Sequence, residues 1–259
     1  MLHRVIEHFK HQQWTAIGID FVIVVIGVFV GIQVSNWNQA RVIDQQAAVF
    51  TTHLKEDLRE EYWGYQLMIE YNRDVLDNAE IAVGAMEGTA PVSDEALLVS
   101  AYRATQYKNK LRRRATYDEL VSTGTIGLIA DRSLRDTAMR VYNMPTIEMM
   151  VREGVQSRYR EAFRMTLSNR VQRALAKNCG DHFLAVGDYG GIDRILDYPC
   201  KPGLSQDDIG KAARALRANP DLLPLLRLRT ADIDTRLADL TGNNRPILEG
   251  LRAIATEKP

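Results

Sequence analysis

TAIGIDFVIVVIGVFVGIQV, residues Thr15 to Val34, is an almost unbroken apolar run that contains one carboxylate, Asp20. A helix rises about 1.5 Å per residue, so about 20 apolar residues suffice to cross the ~30 Å hydrocarbon core of a bilayer. Trp14 and Trp37 flank the run, roughly 35 Å apart on a helix, where interfacial aromatic residues are expected. The run therefore predicts a transmembrane helix over residues 15–36.

Two other interpretations of this run are a buried core helix and a cleaved signal peptide. A core helix rarely runs this long with so few polar residues. The apolar part of a signal peptide is shorter. The segment that follows, VSNWNQA at residues 34–40, is also a poor cleavage context. We therefore interpret the run as a retained signal anchor.

The basic residues near the two ends of the run predict its orientation. Arg4 and Lys10 precede the run, whereas Arg41 follows it. Because the cytoplasmic flank of a span carries the excess of Lys and Arg, this bias predicts a cytoplasmic tail over residues 1–14. Residues 37–259 would then form a domain outside the cytoplasm, which in the inner membrane of a bacterium means the periplasm.

One face of the predicted span carries small and acidic residues. At about 100° per residue, Gly27 and Gly31 point within roughly 20° of the direction of Asp20, and Ser35 continues the stripe. A GxxxG pair lets helices approach closely in lipid, and an intramembrane carboxylate is costly unless it is protonated, paired or facing protein. We expect this face to contact another span. The alternatives are a chance GxxxG pair and an Asp20 side chain that snorkels to the nearby interface.

Composition and motifs argue against several classes of function. The 259 residues carry 33 basic and 33 acidic side chains, so the net charge of zero does not favour nucleic acid as a partner. The sequence contains no HExxH or CxxC motif and no Ser-His-Asp order. STGTIG, residues 122–127, lacks the GK[ST] ending of a phosphate loop and is better explained as a helix end at Gly124. We expect no catalytic residues, no cofactor and no metal.

Beyond the span, apolar spacing predicts an all-α domain, a bundle of helices. The span is expected to continue outward as one long helix that ends at Gly88–Pro91. Thr116 and Ser133 are the expected N-caps of two later helices. Pro145 is expected to open one helix that reaches Lys177. The other expected helices run from Ser93 or Asp94 to about Tyr107, from Ser205 to Ala218, from Asp221 to Leu240, and up to about Thr256.

The two cysteines, Cys179 and Cys200, bound a segment rich in glycine and turn residues. An even number of cysteines in an oxidising compartment predicts a disulfide, which here would close a loop over residues 179–200. A short hairpin would fit inside that loop. The alternative is a metal site completed by His182, but this set lacks the usual zinc-ligand spacing.

A local basic segment, residues 108–114, is a candidate anion or partner site. It could contact an anionic headgroup, a phosphorylated ligand or an acidic partner. The alternative is a solvated loop that acids elsewhere balance, such as those between residues 56 and 61. The basic residues are Lys108, Lys110, Arg112, Arg113 and Arg114.

Two stretches resemble domain-of-unknown-function family 6090. VIVVIGVFVGIQVSNWN, residues 22–38, is similar to the anchor of that family, with Asp20 in place of the usual glutamate and Ser35 in place of an asparagine. TYDELVSTGTIGLIADRSLR, residues 116–135, is similar to its central signature. The resemblance covers roughly the first 140 residues and implies a bacterial single-pass membrane protein with a helical domain. It implies no catalytic residues.

These observations predict a membrane-anchored accessory protein. Its partners would be the lipid bilayer and, through the face of the span, either further copies of itself or other membrane subunits. One alternative is a periplasmic ligand-sensing domain that signals through a partner. Another is a proton-coupled, stator-like subunit that uses Asp20.

Overall fold

The protein is all-α, as the apolar spacing predicts. The computed structural model describes residues 14–257, with side chains from residue 18 onward. The described residues are 76% helical and contain no strand. Apart from the backbone of Trp14, the predicted tail over residues 1–14 lies outside the described residues, as does the side chain of Trp14.

The described part of the chain contains ten α-helices. They are α1 Trp14–Glu87, α2 Asp94–Arg103, α3 Ala115–Ser122, α4 Arg132–Asn143, α5 Thr146–Val155, α6 Arg158–Thr166, α7 Asn169–Cys179, α8 Gln206–Ala218, α9 Leu222–Ala238 and α10 Arg245–Thr256.

Helix α1 confirms the prediction of one long helix that includes the apolar run. It extends over 74 residues, and no proline occurs before Pro91 to interrupt it. It ends one residue before Gly88, whose φ of 77° lies in the left-handed region that glycine adopts without steric cost. The carbonyl of Gly84 then accepts hydrogen bonds from the N–H groups of Thr89 and Ala90 at 3.0 and 3.1 Å.

The chain divides into two compact units. Among the described residues, the first unit comprises residues 14–51 and 127–130, and the second comprises residues 52–126 and 131–257. The second unit holds a hydrophobic core in which α2 packs against α7 and α8, α6 packs against α9, and α4 packs against α10. Large side chains at its centre include Leu97, Leu98, Tyr159, Phe163, Leu175, Ile209 and Leu226.

The predicted N-caps of α3 and α4 are wrong. Helix α3 begins after Arg114, which makes no capping hydrogen bond, and the N–H of Thr116 instead donates to a carboxylate oxygen of Asp57 at 3.4 Å. Helix α4 is capped by Asp131, whose side chain accepts from the N–H of Leu134 at 3.1 Å. In α3 an acceptor from α1 therefore replaces the expected cap, and in α4 the cap lies two residues earlier than expected.

The single helix predicted from Pro145 to Lys177 is also wrong, because the structure divides this stretch into α5, α6 and α7. Ser157 and Ser168 are the N-caps that separate them, and their hydroxyls accept from the N–H groups of Arg160 and Val171. Serine side chains favour caps over helix interiors because they offer the backbone a competing hydrogen bond.

The remaining helices lie close to their predicted positions. Helix α2 is capped by Ser93 but ends at Arg103, before the expected Tyr107. Helix α8 is capped by Ser205, the predicted start of the helix, and ends at Ala218, while α10 ends at Thr256. A π-helical turn over Asp239–Asn243 follows α9.

Candidate functional site

The first unit presents the predicted span as an exposed helix. Every residue from 18 to 46 is exposed, including the predicted contact face of Asp20, Gly27, Gly31 and Ser35. No atom lies within 4 Å of a Cβ built on Gly27 or Gly31, so nothing among the described residues covers this face. The flanking Trp37 is 69% exposed.

The apolar residues of this helix are exposed on all sides, not only on one face. Val22, Val25, Phe29 and Ile32 have 48 to 60% of their surface exposed. A helix that is hydrophobic all round is normally buried in a protein core or in a membrane. The structure rules out the first environment within the described chain, and α1 is long and apolar enough to cross a bilayer. It is the one such helix among the described residues, and it is compatible with a single-pass membrane protein.

In the second unit, each cation of the basic segment lies against a carboxylate. The pairs are Lys108–Asp181, Lys110–Glu61, Arg112–Glu61, Arg112–Glu148, Arg113–Asp57, Arg113–Glu60 and Arg114–Asp118, with distances of 2.9 to 3.2 Å. Carboxylates of the same unit therefore neutralise the positive charges of the basic segment. These pairs favour the alternative of a loop balanced by acids over an open anion-binding patch.

Glu61 is the centre of this arrangement. Its side chain is fully buried, and those of Lys110 and Arg112 are 7% exposed. One carboxylate oxygen of Glu61 accepts from Lys110 Nζ at 3.0 Å and from the backbone N–H of Arg113 at 2.9 Å, while the other accepts from Arg112 Nε at 3.1 Å. A buried charge is tolerated only when it is paired and hydrogen-bonded in this way.

Arg112 links this carboxylate to α4 and α5. Its guanidinium also donates to the carbonyls of Val141 and Met144 and to Glu148. Burial alone would lower the pKa of Arg112, but Glu61 and Glu148 beside it raise that pKa above its ordinary value. The guanidinium therefore stays charged and joins three helices of the second unit.

Gly64 makes room for the lysine of this cluster. A Cβ at this position would overlap with Cε of Lys110. The aliphatic part of the Lys110 side chain crosses α1 at Gly64 to reach Glu61, and it occupies the space that a side chain at position 64 would need. A glycine at this position therefore allows the close approach.

The cysteine loop confirms the predicted disulfide. Cys179 and Cys200 are bonded, with their Cα atoms 5.4 Å apart. The predicted hairpin is wrong, since the loop contains a short 3-10 turn over Ile192–Arg194 and no strand. The ring of His182, named above as a possible metal ligand, stacks on Tyr198 with 3.9 Å between centroids.

The loop is anchored to the part of α1 that lies in the second unit. The hydroxyl of Tyr71 donates to Asp181 at 2.9 Å, and Trp63 Nε1 donates to the carbonyl of Asp188 at 3.1 Å. Lys108 bonds the second oxygen of Asp181 at 2.9 Å. One aspartate thus ties the disulfide loop both to α1 and to the basic segment.

A half-buried carboxylate that the sequence does not single out lies beside this loop. Oδ2 of Asp74 is buried and has no hydrogen-bond partner among the described residues. Burial raises the pKa of Asp74, and the nearby carboxylates of Asp197, Asp77 and Glu70 raise it further, to about 7. The Asp74 carboxyl can therefore gain or lose a proton near neutral pH.

One protein family matches a stretch of the chain that includes both the span and the basic segment. Residues 20–154 match the Family of unknown function (DUF6090), which is more than half of the chain. The chain belongs to this family. The DUF6090 match begins at Asp20 and includes Glu61 and the whole basic segment, whereas the cysteine loop and α6 to α10 lie beyond it. No curated protein and no solved structure matches the chain.

Proposed function

We propose that this protein is a membrane-anchored accessory protein whose span associates with a second copy of itself or with another membrane subunit. The observation that carries the proposal is the exposed face of Asp20, Gly27 and Gly31 on a helix that is apolar on all sides. In lipid the hydrophobic effect does not drive helices together, so small residues that permit close packing and a polar group that needs a partner supply the attraction.

We further propose that the N-terminus is cytoplasmic and that the second unit lies in the periplasm of a bacterium. The charge bias of Arg4 and Lys10 against Arg41 supports this orientation. The bonded Cys179–Cys200 pair is in keeping with an oxidising compartment. A membrane-impermeant maleimide should label both cysteines in intact, outer-membrane-permeabilised cells after reduction and not before. Labelling that appears only after the inner membrane is also lysed would contradict the orientation, and labelling without reduction would contradict the disulfide.

Substitution of the glycines tests the association. We expect the Gly27→Ile/Gly31→Ile variant to lose association because the added side chains keep the backbones apart. Gly18→Ile is the matched control: it makes the same substitution in the same helix, about 160° round from Asp20. Like the other two glycines, Gly18 has no atom within 4 Å of a built Cβ.

The measurement is co-purification in mild detergent from cells that express two differently tagged copies, with mass spectrometry of any other protein recovered. Wild type and Gly18→Ile should each recover the second copy or the same partner, and the double variant should recover neither. A wild-type protein that is monomeric and without partners would contradict the proposal. Equal recovery by all three proteins would contradict the assigned face.

A further inference from the structure

The second unit contains an arginine-lined cavity that the ion pairs described above do not use. Its volume is about 340 Å³, and it lies between the end of α2 and the helices α6 and α7. Its cations are Arg160 and Arg164 on α6 and Arg173 on α7. None of the residues that line it is acidic.

These three arginines differ from those of the basic segment. Within the described part of the chain, no carboxylate lies within 4 Å of the guanidinium of Arg160, Arg164 or Arg173. Other arginines of the second unit do have such partners: Arg170 pairs with Asp208, and Arg236 pairs with Glu153. The positive charge of the cavity is therefore not neutralised by carboxylates of the described chain.

Arg160 is held in position inside this cavity. Its guanidinium carbon lies 4.5 Å from the centroid of the Tyr107 ring, a cation–π contact. Arg164 follows at i+4 on the same helix face, where like charges repel. Burial and the charge of Arg164 both lower the pKa of Arg160, so the site would gain free energy from an anion.

The rest of the lining fits a small organic anion. Asn169 adds an amide group, and Phe163 supplies an apolar wall. The side-chain amides of Gln106 and Gln172 donate instead to oxygens of the protein beside the cavity. Ligand cavities of about 300 Å³ or more commonly combine an apolar wall with a few polar groups. Guanidinium groups bind phosphate and carboxylate through paired, charge-assisted hydrogen bonds.

We propose that this cavity binds a small molecule that carries a phosphate or a carboxylate group, held by Arg160, Arg164 and Arg173. The inference does not depend on association of the spans, and the two can fail separately. A ligand-sensing role would require such a binding site. The proposal concerns anion binding only and includes no signalling step.

Inorganic phosphate and succinate are the two probes, titrated into the full chain in neutral detergent at constant ionic strength. Either anion should raise the melting temperature of the wild type, because it binds the folded state. The Arg164→Gln/Arg173→Gln variant should bind at least about tenfold more weakly. Both side chains are exposed, so we expect the variant to melt like the wild type without anion.

Arg140→Gln/Arg252→Gln is the matched control. It makes the same chemical change at two exposed arginines that lie outside the cavity, on α4 and α10. The control should keep the wild-type affinity. An equal loss in both variants, or no shift of the wild type with either anion, would overturn the proposal.

A second arm identifies the source of a phosphate. Nanodiscs of phosphatidylglycerol and of phosphatidylcholine are compared without added anion. A lipid headgroup in the cavity should raise the melting temperature of wild type and control in phosphatidylglycerol only. Equal melting in the two lipids, together with a shift on adding phosphate or succinate, assigns the cavity to a soluble anion.

Discussion

At the scale of single residues, Glu61 is the buried acceptor that holds the basic segment against α1. Its carboxylate receives hydrogen bonds from Lys110, Arg112 and the backbone of Arg113, all from a part of the chain about 50 residues away. Because Glu61 is fully buried, water cannot replace a hydrogen bond that its carboxylate or its partners lose.

Glu61→Gln should therefore destabilise the second unit strongly. The amide keeps the shape but leaves Lys110 and Arg112 without a buried counter-charge. We expect the free energy of unfolding to fall on the order of 3 kcal/mol, as when one partner of a buried ion pair is removed. Denaturant unfolding of the full chain in detergent measures this. Glu119→Gln, at an exposed position on α3, is the control, and equal stability of the two variants would contradict the assigned role.

Asp74 predicts a pH dependence of stability. Its pKa is raised to about 7 in the folded protein, while an unfolded aspartate has a pKa of about 4. The folded state therefore holds the proton more tightly. Its contribution to stability is complete below pH about 4 and is lost as pH rises through about 7.

The measurement is the melting temperature of wild type and Asp74→Asn between pH 5 and pH 8. The wild type should lose more stability over this range than the variant, because the asparagine cannot ionise. Asp234→Asn, at an exposed position on α9, should follow the wild type. If wild type and Asp74→Asn changed in parallel, the raised pKa would be ruled out.

At the scale of elements, serine caps decide where helices begin. Ser93 and Ser205 are caps that lie at predicted helix starts, while Ser157 and Ser168 have the same chemistry and are missed. Apolar spacing continues across residues 145–177, and it hides the two breaks. Each of the separated helices still buries a large side chain in the core of the second unit, Phe163 on α6 and Leu175 on α7.

The disulfide loop is the element whose loss should be easiest to measure. Cys179→Ala/Cys200→Ala should lower the free energy of unfolding by about 3 kcal/mol, because the unfolded chain regains the freedom that the crosslink removes. Alanine avoids placing a hydroxyl at Cys179, which is fully buried. A reductant should lower the melting temperature of the wild type and leave that of the variant unchanged. A wild type that melts at the same temperature with and without reductant would contradict a stabilising role.

At the scale of the whole molecule, the two units use apolar residues in opposite ways. In the first unit the apolar residues of positions 19–34 are exposed, whereas in the second unit Leu97, Tyr159 and Phe163 are buried in a core. A chain that leaves such a surface uncovered needs an apolar environment from outside. This contrast supports the proposal that residues 15–36 are a membrane anchor.

The sequence by itself determined the apolar span, the long helix that ends before Gly88, the all-α class and the Cys179–Cys200 pair. These features depend on composition, local spacing or the identity of two residues. Only the tertiary structure decided that Glu61 pairs with Lys110 and Arg112, that Asp74 lies half-buried beside Asp197, and that three arginines share a cavity. Each depends on residues far apart in the chain, such as Glu61 and Lys110 at a separation of 49, whose contact no local pattern encodes.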